Sequence, residues 1–584
     1  MSSQNSKLVF LLAITALALS PVLFAGFIRL DDYNHLFENP QLRTPSFAGL
    51  TALWTKSYFN LYIPITYSVW WALMMVGRLL GEVQQNAWLF HAFNLAVHLT
   101  NATLVFLVTQ TLIGVGRPKA SSKRRAIDDS VALISALLFA LHPVQVESVA
   151  WVSELKGELA ALLGFLGLWW HYRSSKRTLA AIFFVAAMLS KPSAIVFPGI
   201  VFLIDRIVLR KSLVNSAIAP ALYGVPLLIL AIVTKHLQPD LEQDFIPTAA
   251  QRLIVAADAI SFYTVKVLVP FPLAVDYGRT PQLVLNHTSY IWLLCSAFLS
   301  VIGAAVVVKS VLFLPSTAQG RHWESLAYCG WAIFMLSVAP VLGLIPFGFQ
   351  NISTVANHYL YIAILGIGMI AAGVLVRFRD STISRHIAAV PLVVYTALSI
   401  QHAWLWRSTE TLFAHTMKIN PRSYVSAFCI GDELMRSGQL DEAIPWLEKS
   451  STLNPNDLNA LLTLGMAFTH KGEPGKAFEL YNAALARNPS IIGLRARYVA
   501  SIHNNLGMLH LQFGLRAAAV DHFQKAVDIY PQSLNARLNL GNVALAEQRF
   551  ADAIREYEAA LSLSPGNRGI EQQLESARQR SLHP

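Results

Sequence analysis

Two adjacent carboxylates, Asp31 and Asp32, follow the first hydrophobic run of the chain, in the stretch FIRLDDYNHLFENPQL at residues 27–42. A carboxylate at the membrane surface can act as a general base towards a hydroxyl, because lipid headgroups and water-soluble molecules both reach that depth. Two neighbouring carboxylates can divide the work, one as the base and one as an orienting group or a ligand of Mg²⁺ or Mn²⁺. From spacing alone, a solvated helix start explains the pair equally well.

The surroundings of the pair favour a functional loop. Residues 29–62 form a long polar segment rich in aromatic side chains: Tyr33, Phe37, Phe47, Trp54, Tyr58, Phe59 and Tyr62. The segment runs into YIPITYSVWWALMMVGRLLG, which is apolar but interrupted and predicts a helix lying in the membrane interface. We therefore expect residues 29–62 to be a catalytic loop outside the membrane.

Three further charged residues are candidates for the same site. Glu147, after His142-Pro143, is either a second functional carboxylate facing the aspartate pair or a charge at a helix start; acidic groups at the bilayer edge usually have partners, which favours function. Lys191, in the stretch SKPS, is either a phosphate partner or a snorkelling lysine, and Lys156 is similar.

Two histidines lie on one face of a predicted membrane helix. His91 and His98 are seven residues apart, with Asn94 between them. They can line a cavity that holds a lipid donor, or they can form hydrogen bonds between helices of the bundle, which is the commoner arrangement.

The composition is that of a membrane protein. Of the 584 residues, 54% are hydrophobic and only 14% are charged, whereas soluble domains have about 25% charged residues. The formal charge of +11 is assigned to cytoplasmic loops rather than to nucleic-acid binding. The three cysteines have no disulfide or zinc spacing. The first apolar run, residues 8–28, lacks a signal-peptide cleavage site, so a retained helix is expected.

Eleven apolar segments are candidate membrane spans, and the charges around them predict the topology. The spans are residues 8–28, 88–114, 130–148, 158–172, 178–191, 193–207, 214–234, 288–311, 325–345, 358–376 and 386–405. Basic residues, among them Arg117 and Lys119, crowd the loops of one side, whereas the other side carries acidic residues such as Asp240, Glu242 and Asp244. The amino terminus is therefore predicted to be cytoplasmic, with loop 29–62 and everything after residue 405 outside. The amphipathic segment 252–270 is predicted to lie along the membrane.

The chain after residue 405 is a repeat array. Asn-Pro, Tyr-Pro or Ser-Pro pairs end similar helices at intervals of 34, 34, 42 and 34 residues, and the signatures LTLGMAF, NNLGMLH and LNLGNVA recur between them. A 34-residue helix-turn-helix period is the signature of tetratricopeptide repeats, which stack into a superhelix with a concave binding surface. The 42-residue interval predicts an extra turn near residues 490–500, and the polar tail predicts a capping helix.

An ordered series of motifs resembles a known family. LDDYNHLFENPQL, YIPIT, AWLFHAFNLAVHL, LFALHPVQVESVAWVSELKGELAAL, LSKPSAIVFPGIVFLID, VLVPFPLAVDY and PVLGLIPFGFQNISTVANHYLYIAILG precede the repeats. Together they resemble the transmembrane-and-tetratricopeptide O-mannosyltransferases and their bacterial relatives over nearly the whole chain. The resemblance implies the GT-C glycosyltransferase fold, a polyprenyl-phosphate sugar donor and a catalytic acidic pair corresponding to Asp31 and Asp32.

The chain also departs from the family pattern. Where bacterial relatives usually carry an arginine and an aspartate, this chain has Leu155 and Gly157. Where relatives usually carry an acidic residue and an arginine before the tyrosine, it has Asn357 and His358 before Tyr359. His358 replaces a natural phosphate partner, so the resemblance leaves donor specificity and activity open.

The sequence predicts an all-α fold: a polytopic GT-C-like membrane bundle at residues 1–405, followed by a tetratricopeptide superhelix of about four repeats and a capping helix at residues 406–584. We expect a bacterial inner-membrane glycosyltransferase with periplasmic repeats that hold a protein acceptor, and with no cofactor besides a divalent cation near Asp32. Its predicted catalytic residues are Asp31, Asp32 and Glu147, and the donor-binding candidates are Lys191, His358, Tyr359 and His91.

Three alternatives are less consistent with these features. In a non-enzymatic scaffold for secretion, pilus or polysaccharide assembly, the bundle is only an anchor; the absent arginines favour this alternative and the retained carboxylates oppose it. A ligase or polymerase acting on lipid-linked glycans would have less use for the repeats. A transporter would be expected to show a duplicated half-bundle.

Overall fold

The computed structural model describes residues 3–43, 45–59, 61–114, 121–174, 177–237, 245–313, 322–378, 382–487, 494–564 and 566–582. The described residues are helical throughout apart from loops and one isolated β-bridge, which confirms the predicted all-α class. The chain divides into two compact units, one reaching Pro421 and one beginning at Arg422. Of the residues used to predict the topology, Arg117, Lys119, Asp240, Glu242 and Asp244 lie outside the described part.

The first unit is a helical bundle. Its helices are α1 (Ser3–Leu19), α2 (Pro40–Arg43), α3 (Phe47–Thr55), α4 (Pro64–Leu79), α5 (Ala87–Gly114), α6 (Ser122–Ala140), α7 (Gln145–Ala150), α8 (Leu155–Arg173), α9 (Arg177–Ser190), α10 (Phe197–Leu203), α11 (Leu213–Leu237), α12 (Ala249–Leu268), α13 (Pro281–His287), α14 (Tyr290–Leu312), α15 (His322–Val338), α16 (Ile364–Arg377), α17 (Thr382–Leu405) and α18 (Thr409–Ile419). Within this bundle α5 packs against α6 and α8, and α15 packs against α16.

Several helices of this unit are long and apolar enough to cross a membrane. In the described part of the chain, six segments meet both conditions: Gln4–Phe24, Val83–Gly114, Leu213–Leu237, Tyr290–Leu312, His322–Val341 and Ala388–Leu405. Two shorter apolar helices, α9 and α16, accompany them. α14 has a mean hydropathy of 2.5, yet only 11% of its most apolar window is buried within the protein. Apolar surface of this kind requires a lipid environment, so the chain is an integral membrane protein.

Several of the predicted spans are not continuous helices, and two of them are interrupted in their interior near prolines. In segment 130–148, α6 ends at Ala140, before Pro143, and the short helix α7 follows it. Segment 193–207 is a series of a 3₁₀ turn (Pro192–Val196), α10 and a π-helical turn (Ile204–Val208). Pro143 precedes α7, and Pro192 and Pro198 lie at the start of the 3₁₀ turn and of α10; none of the three has the amide hydrogen that a continuous helix needs. The first break lies next to the candidate site described below.

Close backbone approach between α15 and α16 depends on two glycines. Gly330 and Gly366 face each other so closely that a Cβ atom on either one would collide with the carbonyl oxygen of the other. Small residues allow membrane helices to pack at short range without help from the hydrophobic effect. This crossing fixes α16, whose amino-terminal end follows the segment that carries Asn357, His358 and Tyr359.

The second unit is built from antiparallel helix pairs and a final helix. Its helices are α19 (Tyr424–Arg436), α20 (Leu440–Leu453), α21 (Leu458–His470), α22 (Pro474–Arg487), α23 (Leu494–Gln512), α24 (Arg516–Ile529), α25 (Leu534–Ala546), α26 (Phe550–Leu563) and α27 (Arg568–Leu582). The glycine of each repeat signature leaves room for an aromatic ring of the following helix, as Gly465 does for Tyr481. α23 has 19 residues, whereas α21 and α25 have 13. The predicted extra turn is thus partly accounted for by α23, and residues 490–493 lie outside the described part.

Candidate functional site

The aspartate pair lies between the end of the first membrane segment and a π-helical turn, Tyr33–Phe37. Asp32 is completely buried. One of its carboxylate oxygens accepts hydrogen bonds from the amide and the hydroxyl of Ser153, at 2.9 and 2.5 Å, and the other accepts one from the amide of Ile28 at 2.9 Å. These contacts join the loop after the first apolar segment to the segment that precedes α8. Asp32 therefore has a fixed orientation and acts as a structural anchor of the loop.

Asp31 is in a different situation from its neighbour. Its side chain is partly exposed and makes no hydrogen bond or ion pair within the described residues. Burial raises the pKa of the Asp31 carboxyl; the charge of Lys156 opposes this shift, and that of Glu154 adds to it. A carboxylate that is accessible, has no bonded partner and has a raised pKa is suited to accept a proton near neutral pH.

Glu154 holds two lysines beside the aspartate pair. Its carboxylate is buried, and its two oxygens lie 2.8 Å from the Nζ atoms of Lys156 and Lys191. The Nζ atom of Lys156 also donates to the carbonyl oxygen of Ser153 at 2.9 Å. Ser153 therefore contacts both the aspartate pair and the lysine pair. Glu154 therefore has two cationic partners, which it holds on its two separate oxygens.

His358 connects Glu154 to a second buried carboxylate. Its Nδ1 atom lies 2.6 Å from Glu147, and its Nε2 atom lies 3.9 Å from Glu154. Glu147 also accepts hydrogen bonds from the His358 amide and from Asn357 Nδ2, at 3.2 and 2.8 Å. The observed contacts of Glu147 are thus with Asn357 and His358, whereas the sequence predicted that it faces the aspartate pair. In the described structure, no hydrogen bond or ion pair joins Glu147 to the aspartates.

Aromatic rings enclose this charged cluster. The ring of Tyr359 lies 4.3 Å from that of His358, and Lys191 Nζ lies 5.8 Å from the centre of the Tyr359 ring. Trp151 packs edge-on against His358, with 5.7 Å between ring centres. Rings at these distances exclude water and stabilise nearby cations. The arrangement strengthens electrostatic interactions inside the cluster.

The pKa values within the cluster show which charges dominate. Burial alone would raise the pKa of Glu154, but the charges of His358, Lys156 and Lys191 together hold it below its usual value. Burial lowers the pKa of Lys191, and Glu154 only partly opposes this shift. For Lys156, the attraction of Glu154 and Asp31 outweighs burial, and the pKa is raised. Lys156 is therefore the more firmly protonated of the two lysines.

His91 and His98 do not join this cluster. His98 is a hydrogen-bonding residue of the bundle: its Nδ1 and Nε2 atoms lie 2.8 Å from the Tyr361 hydroxyl and 3.0 Å from the Ala140 carbonyl oxygen. His91 is completely buried in α5, near backbone groups of Ala25 and Gly26, and neither ring nitrogen completes a hydrogen bond. Within the described residues, no contact connects His91 to Glu154. No observed contact therefore supports its predicted role in donor binding.

Leu155 and Gly157, the two positions after Trp151 that the sequence analysis singled out, have different environments. Leu155 is fully buried in an apolar cluster with Ile63 and Tyr67. Gly157 lies against the ion pair: a Cβ atom there would be 3.1 Å from Glu154 Oε2 and 3.3 Å from Lys191 Nζ. An aspartate side chain at position 157 would compete with Glu154 for Lys191. The cluster of this chain therefore depends on the absence of a side chain at this position.

The geometry does not favour Asp32 as a ligand of a divalent cation. Both carboxylate oxygens of Asp32 already accept hydrogen bonds, and a cation would have to displace them. Among the described residues, no three histidine, cysteine, aspartate or glutamate side chains converge in a way that would hold a metal ion. The predicted Mg²⁺ or Mn²⁺ therefore enters no step of the mechanism below.

Sequence reasoning missed Ser153 and the central position of Glu154. Ser153 is one of many serines in the chain, and Glu154 occurs in the unremarkable stretch SELKGE. Their partners are 121 and 37 residues away in sequence. The short 3₁₀ turn Val152–Glu154, which follows Trp151, places both residues under the outer loop.

The carboxy-terminal repeats match three family models. Each model is described as a tetratricopeptide repeat, and the matches cover residues 428–457, 456–532 and 504–568. These matches confirm the tetratricopeptide interpretation for the second unit.

The chain is a distant homologue of proteins named protein O-mannosyl-transferase TMTC3. It is 23% identical to the mouse protein over 97% of this chain and 61% of the relative, and 22% identical to the human protein over 93% and 59%. Human TMTC4 is 33% identical over a shorter region, 21% of this chain and 18% of the relative. The chain thus spans about 60% of the length of the TMTC3 proteins that it matches.

Solved structures match over about a third of the chain or less. A thermophilic tetratricopeptide protein of Thermus thermophilus is 20% identical and covers 33% of this chain and 96% of its own, with a TM-score of 0.25. The MamA protein is 25% identical and covers 27% of this chain and 81% of its own, with a TM-score of 0.23.

Proposed function

We propose that this chain is a membrane glycosyltransferase that moves a sugar from a polyprenyl-phosphate donor to a hydroxyl group of a protein. The observation that carries the proposal is a carboxylate without a bonded partner, Asp31, close enough to be influenced by one of the two lysines that Glu154 holds. A base beside a cationic group is what transfer from a phosphate leaving group requires. Distant homology to protein O-mannosyl-transferases supports the same chemistry.

The proposed reaction is a single displacement. The hydroxyl oxygen of the acceptor attacks the anomeric carbon of the donor while Asp31 takes up the hydroxyl proton. The bond between the anomeric carbon and the phosphate oxygen breaks, and the electron pair leaves with the polyprenyl phosphate. The ammonium groups of Lys156 and Lys191 balance the charge that develops on that phosphate. A single displacement inverts the configuration at the anomeric carbon.

The other residues of the cluster support this step. Asp32 and Ser153 fix the loop that carries Asp31, and Glu154 holds the two lysines in place. Glu147 orients His358, which lies against Tyr359 at the edge of the cluster. The tetratricopeptide repeats hold the acceptor protein, since concave surfaces of such arrays bind peptide segments. We place the reaction on the periplasmic side of a bacterial inner membrane, following the charge distribution of the sequence.

Intact-mass measurement of exported proteins tests the proposal. Cells lacking the gene are complemented with the wild type, Asp31→Asn or Glu82→Gln, at equal membrane levels. Glu82 is an exposed carboxylate that precedes α5 and serves as the matched control. We expect a hexose-sized mass on at least one exported protein with the wild type and Glu82→Gln, and its loss with Asp31→Asn.

The remaining outcomes separate the alternatives. A modification that depends on the gene but survives Asp31→Asn would move the base elsewhere and overturn the assignment. No change in any protein or lipid-linked glycan between the null strain and the wild type would favour the membrane-anchored assembly scaffold. A change confined to lipid-linked glycans would replace the protein acceptor with a glycan.

A further inference from the structure

Three histidines of the second unit form a row across one helix pair. His503 and His510 lie seven residues apart on α23, and His522 lies on α24. The ring of His522 is between the other two, with centre-to-centre distances of 5.2 Å to His503 and 5.1 Å to His510. The closest contact joins the Nδ1 atoms of His503 and His522, which are 3.0 Å apart. The row is separate in sequence and in fold from the charged cluster around Glu154.

The separation of these two nitrogens suits a shared metal ion. Imidazole nitrogens bind transition metals at about 2.0–2.1 Å. At that bond length, two nitrogens 3.0 Å apart subtend an angle of about 91–97° at the metal. This is the angle between neighbouring ligands in square-planar and octahedral complexes, the geometries preferred by Cu²⁺ and Ni²⁺. For both Nδ1 atoms to bind the metal, the ring that donates the shared proton changes to the tautomer protonated at Nε2, so each ligand is a neutral imidazole.

The exposure of the pair also suits a metal. Both rings are partly exposed, which leaves positions for water ligands.

We propose that His503 and His522 form a two-nitrogen site for a divalent transition-metal ion, in the order of preference Cu²⁺, Ni²⁺, Zn²⁺, which cross-links α23 and α24. Water completes the coordination. The ion fixes the two helices of one repeat against each other. The site acts independently of the proposed glycosyl transfer.

Copper binding to the full-length chain in detergent tests this site. After treatment with a chelator, the protein is titrated with Cu²⁺ and followed by electron paramagnetic resonance and thermal unfolding. We expect one equivalent bound with nitrogen hyperfine structure, and a higher unfolding temperature of the repeat unit. His503→Gln and His522→Gln should each weaken binding by at least about tenfold, whereas His470→Gln, at an exposed histidine on α21, should leave it unchanged.

Two results would overturn the site. One is that the double variant His503→Gln/His522→Gln binds Cu²⁺ with the affinity and spectrum of the wild type, which would identify an adventitious ion only. The other is that the wild type binds no Cu²⁺ or Ni²⁺ although its unfolding profile shows a folded repeat unit. Unfolding of each variant without metal should match that of the wild type, so a loss of binding cannot be confused with a loss of fold.

Discussion

Ser153 donates two hydrogen bonds to a single carboxylate oxygen of Asp32, from its amide at 2.9 Å and its hydroxyl at 2.5 Å. The two residues are 121 positions apart in sequence. The carbonyl oxygen of Ser153 in turn accepts a hydrogen bond from Lys156. One residue therefore sets the distance between the loop with the proposed base and the cations proposed to bind phosphate. Catalysis is sensitive to misplacement of such groups by about 1 Å.

Removal of the Ser153 hydroxyl is predicted to loosen the first outer loop. Ser153→Ala keeps the amide donor but loses the charge-assisted bond to Asp32, which stabilises by about 1.5–3 kcal/mol. We expect a lower unfolding temperature in detergent and a transfer rate reduced by about tenfold or more. Ser153→Thr retains the hydroxyl and should restore both. Equal activity of the alanine and threonine variants would contradict a positioning role for Ser153.

The lysine pair is predicted to act on the donor rather than on folding. Lys191→Gln removes one of the two cations held by Glu154 and should lower kcat by about 100-fold, the usual loss for one group that stabilises developing charge. Lys191→Arg should recover part of the rate. Lys56→Gln, at an exposed lysine of the same outer loop, is the matched control. If Lys191→Gln changes KM for the protein acceptor but leaves kcat of the transfer unchanged, Lys191 does not act on the donor phosphate.

The acidic limb of the pH profile is predicted to depend on the aspartate pair. Burial raises the pKa of Asp32 from 3.8 to about 6, and the hydrogen bonds from Ser153 and Ile28 oppose this shift. Below about pH 6 Asp32 becomes protonated and can no longer accept all three bonds, so kcat/KM should fall as the pH decreases through this range. Ser153→Ala removes a bond that favours the ionised form, which should move the limb to higher pH. If Ser153→Ala leaves the fall of kcat/KM at the same pH, protonation of Asp32 is not its cause.

Much of the architecture could be predicted from sequence, because it depends on local patterns. The 34-residue period indicated the repeat unit, and the long apolar runs indicated the membrane helices. The cluster around Glu154 could not be predicted. Its contacts join residues 37 and 211 positions apart, Glu154 with Lys191 and Glu147 with His358. The periodic pattern of apolar residues does not predict such contacts. They form because the chain leaves the helices α6 and α9 at their ends.

Removal of divalent cations is predicted to leave transfer unchanged. The Asp32 carboxylate is already bonded to three donors, and the neighbouring lysines supply the positive charge that Mg²⁺ or Mn²⁺ would otherwise bring. Activity of the purified protein should persist in EDTA. A loss of activity that is reversed by Mg²⁺ or Mn²⁺ would contradict this expectation and return the cation to the mechanism.

Gly157 offers the sharpest test of the lysine pair, because Gly157→Ala favours the helix while it disturbs the ion pair. In a helix, alanine is more favourable than glycine by about 1 kcal/mol, so Gly157→Ala in α8 should not weaken the helix itself. The added methyl group would lie 3.1 Å from Glu154 Oε2 and 3.3 Å from Lys191 Nζ, closer than ordinary contact. We expect the ion pair to be displaced and transfer to fall, with little change in unfolding temperature. Gly224→Ala in α11, where a methyl group would meet nothing within 4 Å, is the control and should keep full activity. Full activity of Gly157→Ala as well would show that the distance between Glu154 and Lys191 is not important for transfer.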